Sequence, residues 1–274
     1  MTKNLSFRKM HGLGNDFVVV RAAQGTFSLQ DIRHIADRRH GVGCDQLLVM
    51  EAPQAGNADL FMRIYNADGS EAQACGNGTR CVAHLWMTEN NRDHCTIETV
   101  SGLLACRMVD GGGVEVDMGV PRFGWQDIPL AEERDTLHLG VMSGSLTDPV
   151  AVNVGNPHTV FFVDDIEQVD VEGLGRQVEQ HVLFPERTNV GFAQVLAPEK
   201  IRLRVWERGT GVTQACGSGA CAAMVAAVRR GLSSHKAEVL LDGGSLFLQW
   251  RREDEHILMT GSVSYVFQGE LECL

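Results

Sequence analysis

Lysine is scarce in this 274-residue sequence, and long apolar runs are missing. Four lysines occur, and none adjoins either of the two cysteine–glycine motifs of the chain, which disfavours a pyridoxal cofactor held as a lysine Schiff base. The longest apolar run, residues 220–228, is far short of the ~20 residues that a membrane span needs. Residues 1–10 lack the apolar core of a signal peptide. We therefore expect a cytoplasmic protein that does not bind membranes.

Basic residues are also in deficit, since 24 lysines and arginines face 35 acidic residues and the net charge is −11. A broad electrostatic attraction to nucleic acid or to an anionic membrane is therefore disfavoured. Eight cysteines are present, and in a reducing cytoplasm we expect thiols rather than disulfides. Their spacing lacks the short Cys-x-x-Cys pairs of zinc sites, so no metal is predicted.

One motif occurs twice in the chain. Gln-Ala-Cys-Gly-Asn-Gly at residues 73–78 matches Gln-Ala-Cys-Gly-Ser-Gly at residues 214–219, which places Cys75 and Cys216 141 positions apart. Other pairs share this offset or one that is a single residue longer: Gly14-Asn15 with Gly155-Asn156, Tyr65 with Trp206, Gly102 with Gly244, and Gly119 with Gly261. These shared offsets indicate an internal duplication.

The duplication and the chain length predict two domains, which we place at residues 1–118 and 119–262. The hydrophobic pattern predicts mostly short strands, with one helix after each cysteine motif over residues 78–88 and 219–228. The second helix is apolar on all sides, which is typical of a helix buried in a core. The fold class is therefore α/β or α+β, with two pseudo-symmetric halves.

Each cysteine stands just ahead of a predicted helix, where the helix dipole and unpaired N–H groups favour the thiolate. Glycines let a ligand approach closely, so the amides of Gly76-Asn77 and Gly217-Ser218 are predicted to bind a carboxylate or phosphate. A duplicated fold brings equivalent elements together around a pseudo-twofold axis. One thiolate would then remove a proton from a carbon while the opposite thiol delivers one to its other face. We predict stereochemical inversion by Cys75 and Cys216.

Other interpretations of the motifs stay open. They are compatible with a racemase of another small amino acid such as proline, with a non-catalytic binding module, or with a redox protein that cycles a Cys75–Cys216 disulfide. His158 is either structural or catalytic. Glu207-Arg208 is either a solvated strand end or part of the site. The position of Glu207, nine residues before Cys216, favours the site. The other cysteines are expected to be small buried hydrophobic residues: Cys44, Cys81, Cys95, Cys106, Cys221 and Cys273.

Taken together, the motifs resemble those of the diaminopimelate epimerase family, cofactor-independent enzymes of bacterial lysine and peptidoglycan-precursor synthesis. The resemblance runs nearly end to end, through residues 11–17, 43–46, 66–71, 75–78, 155–158, 189, 206–209 and 216–221. It implies two similar α/β halves, each a β-rich shell around a central helix, with a tail at residues 263–274 that returns to the first half.

The resemblance also implies roles for the matching residues. Cys75 and Cys216 would interconvert LL- and meso-diaminopimelate without a cofactor, and His158 and Glu207 would set their protonation. Gly76-Asn77 and Gly217-Ser218 would hold the carboxylate at the reacting carbon. The remaining matches would bind the substrate, chiefly its distant amino-acid end: Asn15, Gln46, Asn66, Asn156, Asn189, Glu207 and Arg208.

The sequence departs from the family's usual pattern at three positions. Thr210 and Val212 stand where the family commonly has alanine and glutamate. Phe267 stands where many members have a tyrosine at a dimer contact. The resemblance implies a homodimer.

Overall fold

The computed structural model describes residues 5–22 and 27–272, so Cys273 and the last residue of the predicted tail lie outside the described residues. The fold is mixed α/β and rich in strands, which confirms the predicted class. The helices are α1 (Leu29–Ala36), α2 (Gly76–Asn90), α3 (Val171–Glu179) and α4 (Gly217–Arg229). The strands are β1 (Leu5–Gly12), β2 (Asn15–Arg21), β3 (Gln46–Glu51), β4 (Leu60–Asn66), β5 (Glu71–Ala72), β6 (His94–Thr99), β7 (Gly102–Met108), β8 (Val114–Asp117), β9 (Met142–Ser143), β10 (Leu146–Thr147), β11 (Val150–Asn153), β12 (Pro157–Phe162), β13 (Asn189–Ala197), β14 (Lys200–Glu207), β15 (Gly211–Thr213), β16 (Lys236–Leu241), β17 (Gly244–Trp250), β18 (Ile257–Gly261) and β19 (Ser264–Leu271).

The chain divides into two compact units, one running to Val116 and resuming at Gly261, the other spanning Asp117–Thr260. In the first unit, β1 and β2 are antiparallel, β2 and β3 are parallel, and β3 and β4 are antiparallel. Strand β4 then runs parallel to β6, and β7 and β8 follow as antiparallel neighbours. Because parallel neighbours need a crossover connection, α1 lies between β2 and β3, and α2 between β4 and β6.

The second unit repeats this order of pairings. Strands β11 and β12 are antiparallel, β12 and β13 are parallel, and β13 and β14 are antiparallel. Strand β14 runs parallel to β16, and β17 and β18 follow as antiparallel neighbours. Helices α3 and α4 occupy the two crossovers. The two units therefore have the same strand order and the same two helix positions.

Strand β19 has no counterpart in the second unit. It pairs antiparallel with β1, from Leu5 opposite Leu271 to His11 opposite Ser264. The ring of Phe267 lies edge-on to that of Phe7, with centroids 5.9 Å apart. The last strand of the chain thus completes the first unit.

The hydrophobic cores contain the apolar residues that the sequence pattern predicts, and the core of the second unit also includes part of a segment with weak periodicity. The apolar helix α4 is buried along residues 219–227, as predicted. In the second unit, the core around Trp206 also takes in Ile128, Leu130, Leu139 and Val141 from the segment that follows β8. That segment has weak periodicity but packs as part of the unit. In the described part of the chain, no helix combines the length and the apolar character needed to cross a bilayer.

Candidate functional site

Both motif cysteines are the N-cap residues of a helix. Cys75 caps α2 and Cys216 caps α4, each in an extended backbone conformation. The Sγ of Cys75 accepts a hydrogen bond from the N–H of Gly78, and the Sγ of Cys216 from the N–H of Gly219, both at 3.3 Å. Because the sulfur takes a capping bond, each helix begins two residues earlier than the sequence predicts. Gly76 and Gly217 are therefore the first helical residues.

A glycine stands three residues after each cysteine, where the backbone passes close to the sulfur. A Cβ at Gly78 would lie 3.3 Å from the Sγ of Cys75 and 3.0 Å from the side chain of Leu48. A Cβ at Gly219 would lie 3.1 Å from the Sγ of Cys216. The repeated glycine thus allows the sulfur to reach the first turn of the helix.

The polar site residues occupy equivalent strand ends in the two units. In the first unit, Gln46 begins β3 and pairs with Asn66, the last residue of β4. In the second unit, Asn189 begins β13, and Glu207 is the last residue of the neighbouring β14. The partner of Gln46 on the other side is Phe17, whereas Asn189 is paired there with His158. The strand ends of the two units therefore correspond but carry different side chains.

Neutral amide groups surround Cys75 in the first unit. The Oδ1 of Asn15 lies 3.9 Å from the Sγ of Cys75 and accepts a hydrogen bond of 3.2 Å from the Nδ2 of Asn77. The Nδ2 of Asn15 donates to the Oδ2 of Asp45 at 2.9 Å. A carboxylate only accepts, so Asp45 keeps the carbonyl oxygen of Asn15 towards the sulfur. In this arrangement the Asn15 oxygen accepts from the Cys75 thiol.

Two further amides of the first unit form a polar pair. The Nε2 of Gln46 donates to the Oδ1 of Asn66 at 2.9 Å, and the Nδ2 of Asn66 donates to the Oγ of Ser70 at 3.0 Å. The Oε1 of Gln46 is buried and has no hydrogen-bond partner among the described residues. Since buried acceptors are normally paired, this oxygen is a candidate ligand-binding group.

In the second unit, a histidine and a hydroxyl group lie beside Cys216. The Nε2 of His158 lies 2.9 Å from the Oδ1 of Asn156 and 3.0 Å from the Oγ of Ser218. That hydroxyl is 3.6 Å from the Sγ of Cys216. His158 is fully buried, and burial together with the charge of Arg208 lowers its pKa to about 3. The imidazole is therefore neutral at physiological pH.

The environment of Cys216 opposes its ionisation. Burial raises the pKa of the thiol well above its usual value, and the negative charge of Glu207 raises the pKa further. The Glu207 carboxylate also accepts hydrogen bonds from this thiol and from the Oγ1 of Thr213. Hydrogen bonds from Ser218 and the Gly219 amide favour the thiolate but do not offset these effects. Cys216 is held as a thiol at neutral pH.

Arg208 projects from the turn between β14 and β15. Its backbone N–H donates to the Oδ1 of Asn189 at 2.9 Å, and the Nδ2 of Asn189 donates to the carbonyl oxygen of Pro157 at 2.8 Å. The guanidinium is exposed and donates a hydrogen bond of 3.0 Å to the carbonyl oxygen of Glu186. Asn189 therefore links Arg208 to the strand that carries His158.

Of the predicted site residues, Asn15 contacts Cys75, and Ser218 and Glu207 contact Cys216. Gln46 bonds to Asn66, and Asn189 bonds to the backbone of Arg208. Sequence reasoning missed Asp45 and Thr213, which orient Asn15 and Glu207. Asp45 could have been found from its position directly before Gln46. Thr213 could have been found from its position three residues before Cys216.

The other cysteines in the described part of the chain behave as small hydrophobic residues. Cys44, Cys81, Cys95, Cys106 and Cys221 are buried, which confirms that interpretation for these five. Burial raises the pKa of Cys44 to about 11 and that of Cys81 to about 12. All cysteines among residues 5–22 and 27–272 carry thiols. Over the same ranges, no three His, Cys, Asp or Glu side chains gather as a metal site would require.

Comparison with known proteins places this framework among epimerases. A family model described as diaminopimelate epimerase matches residues 7–124 and 150–266. The diaminopimelate epimerase of Rhodospirillum centenum is 55% identical over 97% of this chain and 91% of its own. That of Acidiphilium cryptum is 53% identical over 97% of this chain and 96% of its own.

Solved structures share the fold at low sequence identity. A hydroxyproline epimerase from Agrobacterium vitis matches with a TM-score of 0.71 at 14% identity, over 98% of this chain and 91% of that one. A Bacillus anthracis phenazine biosynthesis protein of the PhzF family matches with a TM-score of 0.68 at 18% identity, over 99% of both chains. These likenesses concern the fold alone.

Proposed function

The chain belongs to the diaminopimelate epimerase family and is an isomerase, and on that premise we propose that it interconverts LL- and meso-diaminopimelate with Cys75 and Cys216 as its acid and base. One observation carries this proposal. Two units with the same strand and helix order each hold a thiol at a helix N-terminus. The activity serves bacterial lysine and peptidoglycan-precursor synthesis.

The proposed chemistry is a proton transfer at one carbon. A cysteine thiolate removes the proton from the α-carbon, and the bonding electrons move into the adjacent carboxylate as the carbon becomes planar. The thiol of the other cysteine then donates its proton to the opposite face. The two cysteines exchange protonation states in each turnover, so the reverse reaction uses them in exchanged roles. No cofactor is needed.

A carbon acid next to a carboxylate is far weaker than a thiol, so the site must stabilise the developing charge. We assign this to the first-turn amides of α2 and α4, at Gly76-Asn77 and Gly217-Ser218. Helix N-termini bind carboxylates through their N–H groups and dipole. The raised pKa of Cys216 and its contact with Glu207 suit the proton donor. Neutral His158 would hold Ser218 in place beside that sulfur.

We propose that the distant end of the substrate is bound by amides and one guanidinium. Amide groups offer donors and acceptors together, and a guanidinium pairs with a carboxylate, so this set suits a zwitterion. The unpartnered Oε1 of Gln46 would accept from the ammonium group. The assigned residues are Asn15, Gln46, Asn66, Asn156, Asn189 and Arg208.

We further propose a cytoplasmic homodimer that binds neither nucleic acid nor membranes. The cytoplasm keeps both thiols reduced, as the chemistry requires. Tyr265, Val266 and Phe267 of β19 are each about half exposed, and an apolar strip of this kind is typical of a protein interface. Sedimentation velocity on the purified protein measures the assembly.

The test of this function is turnover of purified protein on LL-diaminopimelate in deuterated water, with reductant and without added cofactor. A two-base enzyme should place solvent deuterium mainly in the product epimer at early turnover. Cys75→Ala and Cys216→Ala should each lose at least ~1,000-fold in rate, because each removes an acid and base. Both should keep the circular dichroism of the wild type.

Cys95→Ala is the matched control, since Cys95 is a buried thiol outside both motifs, and the variant should keep activity near that of the wild type. Proline and glutamate should not be turned over. Full activity in either motif variant would rule the mechanism out.

A further inference from the structure

Glu179, at the end of α3, is a buried carboxylate outside the predicted site. Its side chain is 4% exposed. The Oε2 of Glu179 accepts a hydrogen bond of 2.7 Å from the indole Nε1 of Trp206, and its Oε1 accepts one of 2.9 Å from the backbone N–H of Gly209. The guanidinium of Arg187 lies 3.5 Å from Oε1. Each carboxylate oxygen of Glu179 therefore accepts a hydrogen bond from β14 or from the turn that follows it.

The two donors flank the site residues Glu207 and Arg208 along the chain. Trp206 comes directly before this pair, and Gly209 comes directly after it. Glu179 thus holds both ends of the turn that presents them. Gly209 has a positive φ of 74°, which glycine adopts without strain, and its N–H donates to Glu179 from this conformation.

Helix α3 is fitted to Trp206 along one face. A Cβ at Gly175 would lie 2.4 Å from the Cβ of Trp206, so only glycine allows this approach. The guanidinium of Arg176 lies over the indole ring, 5.5 Å from its centroid. Gly175, Arg176 and Glu179 therefore act on one side chain from one helical face.

The hydrogen bonds to Glu179 affect the position of Arg208 more than that of Glu207. Glu207 is the last residue of β14, is paired with Gly211 of β15, and has its carboxylate fixed by Thr213. Arg208 lies in the turn itself. Its backbone is fixed by Asn189 on one side and, through Gly209, by Glu179 on the other.

We propose that Glu179 is a positioning residue that sets Arg208 for recognition of the substrate's distant charged end. This inference rests on the proposed function, since it assigns the selectivity of the same site for a substrate with a second polar end. Glu179 does not touch the reacting atoms. Its effect passes through the turn formed by residues 207–210.

Glu179→Gln tests the proposal with almost no change in shape. An amide offers one acceptor and one donor, so it satisfies either the Trp206 indole or the Gly209 amide and opposes the other. The turn should then move. We expect the KM for diaminopimelate to rise about tenfold or more while kcat stays within about threefold, because uniform binding is lost and the thiol chemistry is not.

Rescue separates this role from a general loss of stability. In Glu179→Gln/Trp206→Phe the amide oxygen can accept from Gly209 while its NH2 group faces an apolar ring. We expect the double variant to have a lower KM than Glu179→Gln alone. Glu167→Gln, which changes a carboxylate that is 70% exposed, is the matched control and should leave both constants unchanged.

Amide hydrogen exchange of the peptide over residues 207–213 provides a readout that needs no activity. Exchange should quicken in Glu179→Gln and recover in the double variant. If the wild type fails to epimerise diaminopimelate, the proposed function fails while this readout still tests the turn. Unchanged KM and unchanged exchange would overturn the proposal, as would equal losses in all variants without rescue.

Discussion

At the scale of single residues, the two halves keep the same positions but differ in ionisable groups. Phe17 stands in the first unit where His158 stands in the second, and Asn66 stands where Glu207 stands. Cys75 thus has amide neighbours, whereas Cys216 has an imidazole, a hydroxyl and a carboxylate. The duplication has therefore placed its two motif thiols in different environments.

Glu207→Gln should make Cys216 ionise more easily. The negative charge of Glu207 disfavours the thiolate, so its removal lowers the pKa of Cys216. The titration curve then moves to lower pH, and more thiolate is present at any pH on its slope. Ultraviolet thiolate absorbance, measured in a Cys75→Ala background, follows this directly.

The exposed Glu167 again provides the control, since Glu167→Gln should leave that titration in place. An unchanged titration curve of Cys216 in Glu207→Gln would show that burial, and not the charge of Glu207, determines the pKa of the thiol.

At the scale of elements, the same crossover position holds different helices. Helix α1 begins with a capping box formed by Ser28 and Asp31. Helix α3 is capped by Asp170 and carries two glycines, one of which meets Trp206. Because the Trp206 side chain is large, α3 can approach β14 closely only where the helix has a glycine. The close approach is what brings Glu179 to the turn of Arg208.

Gly175→Ala should therefore destabilise the protein. Alanine favours a helix by up to ~1 kcal/mol over glycine, but a Cβ at 2.4 Å from Trp206 requires the helix to move. Overpacking of this kind costs about 1–3 kcal/mol, so the overlap outweighs the propensity. Urea unfolding measures the loss.

Gly56→Ala is its counterpart without crowding, because a Cβ at Gly56 would meet nothing within 4 Å. Equal stability of the two variants would contradict the close fit of α3.

At the scale of the whole molecule, each unit holds one motif cysteine at a helix N-terminus and its own set of polar groups. The units repeat one order of strands and helices, and β19 pairs only with strands of the first unit among the described residues. A chain with a single functional cysteine has half of the proposed acid and base pair.

Mixing Cys75→Ala with Cys216→Ala should not restore activity. The proposal assigns both thiols to one chain, so neither variant can complete a proton transfer with an intact copy beside it. Epimerisation of the mixture, followed by the appearance of meso-diaminopimelate, checks this at several protein concentrations. Activity that rose with concentration would show that the pair is formed between chains.

Much of the fold follows from local signals in the sequence. Strands β3 and β4 are short apolar runs of the kind that the hydrophobic pattern predicts. The helices after the motifs and their N-cap cysteines follow from glycines and an apolar run. The offset of 141 residues predicts two similar halves before any coordinates.

What the sequence by itself determined was the duplication, the order of elements and the type of chemistry, because periodicity, turn residues and repeated motifs are local. The tertiary structure alone decided which distant groups meet. The bond between Asp45 and Asn15, the grip of Glu179 on Trp206 and Gly209, and the raised pKa of Cys216 join residues separated along the chain. Such contacts and their burial depend on how strands and helices pack, which local patterns do not specify.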